Sequence, residues 1–357
     1  MPDMSDTAFV CVIDYLKGFG VSRIELFAND PILHPEILQQ VKILNDSGLE
    51  FAILTIGDNP DNPTVKDTFW KVAGCIDKDR GGFVFSVDLT EEDAKHIMND
   101  ASYKGDKSYA FKAQTFWEMA PELQRLGIKA RINVVITRNN VTSVSEIMER
   151  AAQMGFAASC CFVQYQQPTF REIVKNGHLS DENLTAFREF IRASELLDEG
   201  EVSAVVERAK KIVSSGNFSA FNAFRGNDPR EGDIPETTLS AMRDQLIALK
   251  SRYPEHILPS EDFVNGLGNA GFGCLELLKQ GKFPQMKIGP EGQIWFCCDL
   301  HDPETARFHL HGIVSNSDAP NLLLRTIRTN PYIWLCAWAN PCDFSVNHVQ
   351  YQTKTKK

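Results

Sequence analysis

The cysteines are the residues whose type and spacing best suit chemistry. Five of the nine lie toward the carboxyl end, at Cys274, Cys297, Cys298, Cys336 and Cys342. Four thiolates from separate loops suit a tetrahedral zinc ion or an iron–sulfur cluster. Cys336 and Cys342 are predicted to flank one short loop, which contains Pro341. The sequence has no Cys-x-x-Cys pair of the kind a zinc ribbon needs. The spacing alone therefore leaves a metal site and a set of buried, inert thiols both open.

A second candidate site is the stretch Ile24 to Gln40, "IELFANDPILHPEILQQ". Apolar, strand-like residues end at the polar turn Asn29-Asp30-Pro31, and a new helix follows. In α/β proteins the loop at the carboxyl end of a strand is where ligands usually bind. His34 and Asp88 are candidates for acid–base work. His34, before Pro35, fits a helix start better, whereas Asp88 at a strand end fits a site residue or a helix cap equally well.

Helices and strands alternate regularly through the first half of the chain. Apolar runs predict five strands, at Ser22–Phe27, Glu50–Ile56, Phe83–Leu89, Lys129–Thr137 and Ala158–Gln164. Helical periodicity predicts the segments that join them, with Thr90 as an N-cap. This alternation requires a parallel sheet with right-handed crossovers, either open or closed into a barrel. The adjacent Cys160 and Cys161 point to opposite faces of the last strand and are predicted to be core residues.

The pattern changes twice after this alternating region. Three helical segments, around Asp181–Leu197, Glu201–Ser214 and Pro235–Ser251, predict a helical connector or insertion. Two short strands around the turn "GPEGQ" and the cysteines then predict a small Cys-rich unit. We expect three regions, at residues 1–165, 166–260 and 261–357.

Composition excludes several classes of protein. A net charge of −10 leaves no surplus of basic residues for nonspecific nucleic-acid binding. No segment approaches the roughly 18 apolar residues that span a bilayer. Asp3 and Asp6 stand where a signal peptide needs positive charge. We therefore expect a cytoplasmic protein whose cysteines are thiols or metal ligands, with no membrane or nucleic-acid partner.

Several stretches, taken in order, resemble the radical S-adenosylmethionine (radical SAM) superfamily with a SPASM or twitch domain at the carboxyl end. The opening stretch through "FAILTIG" is similar to that family's first helix, second strand, Gly-Gly-Glu-Pro loop and third strand. "FVFSVDLTEE" resembles its fourth strand, and "LGIKARINVVITRNN" and "SCCFVQYQQP" resemble later strands. "KIGPEGQIWFCCD" is similar to the family's Gly-x-x-x-x-Cys hairpin, here Gly292 to Cys297.

The resemblance implies a partial (β/α)6 TIM-like barrel, with the first strand apparently missing, and a small Cys-rich carboxyl-terminal domain. It implies a 4Fe–4S enzyme that cleaves S-adenosylmethionine to a 5′-deoxyadenosyl radical, which abstracts hydrogen from a peptide or small-molecule substrate. The residues it implies for S-adenosylmethionine are Ala28, Asn29, Asp30, Pro31, Thr55, Ser86 and Asp88. It implies an auxiliary 4Fe–4S cluster, with zinc as the alternative, on Cys274, Cys297, Cys336 and Cys342. No catalytic residue is assigned.

The sequence departs from the family at the residues that begin the chemistry. The Cys-x-x-x-Cys-x-x-Cys motif that holds the initiating cluster is not in these 357 residues. Gly-Gly-Glu-Pro has become Ala28-Asn29-Asp30-Pro31, and Thr-Asn-Gly has become Thr55-Ile56-Gly57. We expect either an enzyme truncated at its amino end or a degenerate, non-catalytic partner or binding protein that keeps only an auxiliary iron–sulfur or zinc site.

Overall fold

The computed structural model falls into two compact units. The first unit comprises Met1–Cys161 with Gly232–Pro259, and the second comprises Phe162–Glu231 with Ser260–Lys357. Within them the structure describes residues 6–18, 21–27, 30–59, 62–162, 178–215, 234–259, 286–288, 294–296 and 325–339. No helix in these ranges is long and apolar enough to cross a membrane.

The first unit alternates strands and helices, as its sequence predicts. Its strands are β1 (Arg23–Leu26), β2 (Glu50–Leu54), β3 (Gly81–Ser86), β4 (Lys129–Ile136) and β5 (Ala157–Phe162). Its helices are α1 (Asp6–Gly18), a 3-10 turn (Pro31–Leu33), α2 (Ile37–Ser47), α3 (Thr64–Cys75), α4 (Glu91–Asn99), α5 (Ser108–Leu126) and α6 (Val144–Gln153). Thr90 caps α4 by accepting a hydrogen bond from Asp93 N, as predicted.

The five strands form one sheet in the order β1-β2-β3-β4-β5. Register is parallel from β1 to β4, with Glu25 opposite Ala52 and Ala52 opposite Gly82. At the outer edge of β5, Ala158 N donates to His256 O at 2.7 Å and Leu258 N donates to Ala158 O at 2.9 Å. The predicted α/β class with a parallel sheet in a partial TIM-like barrel is confirmed.

The core of this unit lies between the sheet and its covering helices. Phe83 and Phe85 of β3 point toward α3 and α5, where they contact Phe69 and Phe116 with ring centroids 4.6 and 5.1 Å apart, respectively. All four rings are buried. Since alternate residues of a strand face opposite sides, this aromatic layer defines the helix-covered face of the sheet.

Two glycines predicted to precede β3 belong to the strand itself. Gly81 pairs with Phe51 in the sheet register. A Cβ at Gly81 would stand 2.5 Å from Ile76 Cγ1 and 2.7 Å from the Phe51 ring, so neighbouring side chains occupy that space. The glycines therefore serve close packing at the start of a strand rather than a turn.

After β5 the chain forms three further helices, α7 (Asp181–Ala193), α8 (Glu199–Ser214) and α9 (Glu236–Arg252). Helix α9 belongs to the first unit, where Ser145 Oγ donates to Gln245 Oε1 and Arg252 pairs with Glu149. Helix α8 begins with a capping box between Asp198 and Glu201.

The second unit combines α7 and α8 with the helix α10 (Pro331–Ala339) and an antiparallel hairpin. The hairpin strands are β6 (Met286–Ile288) and β7 (Ile294–Phe296), as the turn "GPEGQ" predicts. Trp334 of α10 is fully buried and Phe187 of α7 contacts Trp338. Arg208 Nη1 donates to Thr329 O at 3.1 Å, which ties α8 to the turn before α10.

Candidate functional site

Asp30 joins the loops that follow β1 and β2. Its Oδ1 accepts from Ile32 N at 3.1 Å and caps the 3-10 turn. Its Oδ2 accepts from Thr55 Oγ1 at 2.9 Å and from Ile56 N at 3.0 Å. Asp30 has a positive φ of 31°, a conformation uncommon for residues other than glycine. Three hydrogen bonds hold this carboxylate at the carboxyl edge of the sheet.

Thr55 and Gly57 form the other half of this connection. The buried Thr55 continues the sheet, because its N donates to Val84 O at 3.0 Å. Its Oγ1 accepts from Gly57 N at 2.9 Å, and Gly57 has a φ of 76°. A Cβ at Gly57 would lie 2.9 Å from Met119 Sδ. Glycine is therefore favoured here both by the left-handed backbone and by the close approach of Met119.

Asp88 lies at the same edge, beyond the end of β3. Its Oδ1 accepts from Val135 N at 2.8 Å, which fastens β4 to the segment after β3. Asn140 completes this connection by donating from Nδ2 to Asp88 O and Val135 O at 3.0 and 2.8 Å. The helix-cap interpretation of Asp88 is wrong, because Thr90 is the residue that caps α4.

The sheet face opposite the aromatic layer, here called the inner face, carries a long-range ion pair. Arg131 of β4 donates to Glu25 Oε1 of β1 at 2.9 Å, and Arg23 donates to the same oxygen at 3.1 Å. These strands lie three places apart, roughly 14 Å in a flat sheet. The side chains thus run across β2 and β3, where Ala52 and Gly82 occupy the row of Glu25 and leave space.

Polar groups continue along the inner face at β4 and β5. Ser159 Oγ lies 3.2 Å from Asn133 Oδ1, and Asn133 Nδ2 donates to Cys161 Sγ at 3.7 Å. Asn133 lies opposite Ser86 in the sheet register. Cys160 is buried, as predicted for a core residue, whereas Cys161 is only partly buried. The inner face therefore carries hydrogen-bonding groups beside apolar residues such as Leu54 and Val84, which lie in register with Arg131.

The structure places only some of the predicted site residues. Asp30, Pro31, Thr55, Ser86 and Asp88 belong to the strand ends and loops at the carboxyl edge of the first unit's sheet. The predicted residues that lie outside the described ranges are Ala28, Asn29, Cys274, Cys297 and Cys342.

The predicted metal ligands belong to the second unit's part of the sequence. Cys336 was predicted to border a loop, and the structure places it within helix α10. The hydrophobic run "IWLCAWA" carries the helix as far as Ala339, which explains the difference. Among the described residues no group of three or more Cys, His, Asp or Glu side chains could hold a metal ion.

Six polar residues of the site were not predicted: Arg23, Glu25, Arg131, Asn133, Asn140 and Ser159. Arg131 and Asn133 break the apolar run of β4 at alternate positions, and Glu25 does the same in β1. That alternation was the available signal, since alternate strand residues share one face. No pattern in the sequence indicates that Asn140 hydrogen-bonds to Asp88.

The solved structures that this chain resembles include those of SuiB of Streptococcus suis. A crystal structure of SuiB matches at 10% identity with a TM-score of 0.50, covering 92% of this chain and 64% of SuiB. SuiB bound to S-adenosylmethionine matches at 10% identity and 0.49, covering 88% and 60%. SuiB bound to precursor peptide SuiA matches at 12% and 0.40, covering 92% and 63%. No protein-family model and no curated protein sequence matches this chain.

The low sequence identity and the partial coverage limit what the match to SuiB shows. At 10% identity the match to SuiB shows a shared fold, which agrees with the barrel architecture that the radical SAM resemblance implies. The chain spans between 60% and 64% of the length of the SuiB chains it matches.

Proposed function

We propose that this protein is a radical SAM-type protein that binds S-adenosylmethionine at the carboxyl edge of its sheet. The observation that carries the proposal is the Asp30 connection, which holds a carboxylate between two loops that the resemblance assigns to S-adenosylmethionine. We expect the methionine end of the cofactor at Ala28–Pro31. Ligands of open α/β sheets bind outside the carboxyl ends of the strands.

The described residues offer groups of the right chemistry for this cofactor. A carboxylate has about four acceptor positions, and Asp30 uses three of them with described residues, so we propose that the fourth accepts from a ligand ammonium group. Ser86 and Asn133 at the edge of the inner face supply groups that suit ribose hydroxyls. In this role Asp30 orients the cofactor, while Thr55 positions Asp30.

Radical chemistry needs an iron–sulfur cluster, and the residues proposed to bind S-adenosylmethionine include no cysteine that could hold one. A 4Fe–4S cluster bound beside S-adenosylmethionine supplies the electron for reductive cleavage. The printed sequence has no Cys-x-x-x-Cys-x-x-Cys, so its own residues account for cofactor binding and not for cleavage. We propose that Cys274, Cys297, Cys336 and Cys342 hold an auxiliary 4Fe–4S cluster, with zinc as the alternative.

A specific observation favours a second candidate function, a non-catalytic binding partner. Asp30 is one methylene shorter than the glutamate of the family loop, and its Oδ2 accepts two hydrogen bonds that join the loops after β1 and β2. In such a protein the former cofactor loop would survive as a structural connection. A peptide or small-molecule substrate belongs to the first candidate, and a protein partner belongs to this one.

Titration calorimetry with S-adenosylmethionine on the full chain separates the two candidates. For the first, we expect measurable binding that Asp30→Asn weakens about tenfold, because a charge-assisted hydrogen bond is lost. Asp79→Asn is the matched control, since Asp79 is an exposed carboxylate outside the site. No binding at millimolar cofactor would favour the second candidate. Binding that Asp30→Asn leaves unchanged would refute the placement of the methionine end.

The auxiliary cluster is tested by metal and sulfide analysis after anaerobic purification. We expect about four irons per chain, the content of one cubic cluster, and loss of iron in Cys297→Ala and Cys336→Ala. Cys11→Ala and Cys75→Ala are the controls, because both thiols are exposed on helices of the first unit. Zinc without iron would establish the alternative metal, and retention of iron in both ligand variants would refute the assignment.

A further inference from the structure

An open groove lies between the start of α2 and the first turns of α3. Its volume is about 280 Å³. Ile32, Ile37 and Val65 line it and are almost fully buried, so they form its apolar floor. We call this feature the α2–α3 groove. It uses the outer side of the helices rather than the inner face of the sheet.

The apolar surface extends beyond the floor onto the rim of the groove. Leu33 and Leu38 line the groove and are 44% and 42% exposed. Six large hydrophobic side chains are exposed in the described part of the chain, and these two share one groove. Adjacent exposed leucines around a concave apolar floor are typical of a surface that a partner covers.

The polar groups at the α2–α3 groove are chiefly hydrogen-bond donors. Lys71 lines it and makes no hydrogen bond or ion pair within the described residues. His34 Nδ1 accepts from Glu36 N at 3.1 Å, so a neutral ring carries its proton on Nε2. Gln40 Nε2 lies 3.4 Å from both ring nitrogens, a position over the ring rather than in line with either nitrogen.

Among the described residues no carboxylate lines the groove, although the protein as a whole has a net charge of −10. A ligand with an acidic group would meet the Lys71 ammonium and the His34 imidazole there. A basic ligand would find only the neutral acceptors of Asn62, Thr64 and Thr68 among the described lining side chains.

We propose that the α2–α3 groove binds an acidic peptide segment of a partner, with leucine-like side chains on its floor and rim and a carboxylate toward Lys71 and His34. The exposed rim favours a peptide over an enclosed small molecule, since 280 Å³ is below the usual range for ligand pockets. The peptide would touch the 3-10 turn that Asp30 caps, so it would also contact the loop of the proposed cofactor site. Binding requires neither the cofactor nor a cluster.

The test is a selection of peptides on the immobilised full chain, with two displayed pools of twelve residues. One pool is built from Leu, Glu, Ser and Gly, and the other replaces Glu with Lys. We expect enrichment from the acidic pool only. The protein variant Lys71→Met should bind the selected peptides about fivefold more weakly, which is the upper end for the loss of an exposed ion pair. Leu38→Ser should weaken it about tenfold through lost apolar contact.

Two variants serve as matched controls. Lys17→Met removes an exposed helical lysine elsewhere, and Ile247→Ser removes a side chain that is 44% exposed on α9. Neither should change the affinity. Enrichment from neither pool, equal enrichment from both, or equal losses in the control variants would overturn the proposal. Calorimetry with octanoate tests a small carboxylate as the ligand. If octanoate binds and the same variants weaken it, while neither peptide pool is enriched, the groove binds a small carboxylate and the peptide proposal is overturned.

Discussion

On the side of the sheet that meets α3 and α5, β3 presents Phe83 and Phe85 to Phe69 and Phe116. On the inner face the strands present Glu25, Arg131, Asn133, Ser159 and Cys161. The first set is a close-packed aromatic layer, and the second is a row of hydrogen-bonding groups. Both faces belong to the same strands, so alternation along the chain assigns each residue to one of the two layers.

This difference shows which layer stabilises the fold and which is available for chemistry. Apolar burial is the dominant favourable term in folding, and the aromatic layer supplies it. Buried polar groups cost free energy unless they are paired, and the inner face pairs them within the protein. In a fully packed barrel the interior is filled with bulky apolar side chains. The polar inner face is therefore the side on which we expect a ligand.

The largest loss of stability should come from removing a ring of the aromatic layer. Phe85→Ala should destabilise the first unit by roughly 3–5 kcal/mol, because it removes a buried ring and leaves a cavity. Leu54→Ala on the inner face should cost about 1 kcal/mol or less, since Leu54 is 37% exposed. Hydrogen exchange of β3 and β4 peptides measures the opening free energy of this unit alone. Equal losses in the two variants would remove the distinction between the faces.

A smaller effect should come from the ion pair of the inner face. Glu25→Gln should cost about 2 kcal/mol, less than the 3–5 typical of full burial, because Glu25 keeps part of its surface in water. The double variant Glu25→Leu with Arg131→Met should cost less than Glu25→Gln, since it removes both charges of the Arg131–Glu25 pair together while Arg23 keeps its charge in both variants. The same exchange measurement gives both values. A double variant worse than the single would show that the pair contributes net stability.

At the carboxyl edge of the sheet, Thr55→Val should destabilise by about 1–2 kcal/mol, because a buried hydroxyl with two hydrogen bonds is lost. Thr55→Ser keeps the hydroxyl and should retain most of the stability. Exchange of the amide of Gly57, which donates to Thr55 Oγ1, is the local readout. Equal losses in the two variants would show that the hydroxyl contributes no more than the methyl group.

The pH dependence of folding stability tests the effect of burying the phenol of Tyr15 in α1. Burial raises the pKa of its phenol from 10.0 to about 12. The neutral phenol is favoured in the folded state, so its contribution is fully present below pH 10 and is lost as pH rises toward 12. Tyr15→Phe should flatten the fall in stability between these values in a thermal-denaturation series. An unchanged slope would exclude Tyr15 as its source.

The smallest perturbation is chemical labelling, which leaves the fold intact. Iodoacetamide should modify Cys161 of the inner face faster than Cys160, which is 3% exposed on the other face. Cys11 and Cys75 are exposed and should react first, as positive controls. Mass spectrometry of digested peptides over time ranks the four rates, provided that Cys160→Ala and Cys161→Ala variants resolve the adjacent pair. Faster reaction at Cys160 would contradict the assignment of the faces.

The sequence predicted the helices and strands better than the contacts between them. Apolar runs and their spacing predicted five strands, and each lies within a few residues of its predicted position. The start of β3 was misplaced because Gly81 and Gly82 are typical of turns, whereas here Ile76 packs beside Gly81 and Lys129 beside Gly82. Cys336 was assigned to a loop border because its helix is apolar all round and has no periodic pattern to predict it.

The sequence by itself determined the α/β class, the order of strands and helices, and the Asp30 loop as a candidate site. These features depend on residues near one another in the chain, where periodicity and turn residues act directly. Only the tertiary structure decided that Asp30 accepts a hydrogen bond from Thr55, that Asn140 donates to the carbonyl of Asp88, and that Arg131 pairs with Glu25. Such contacts join residues up to 106 positions apart, and strand register and burial, rather than local propensity, bring them together.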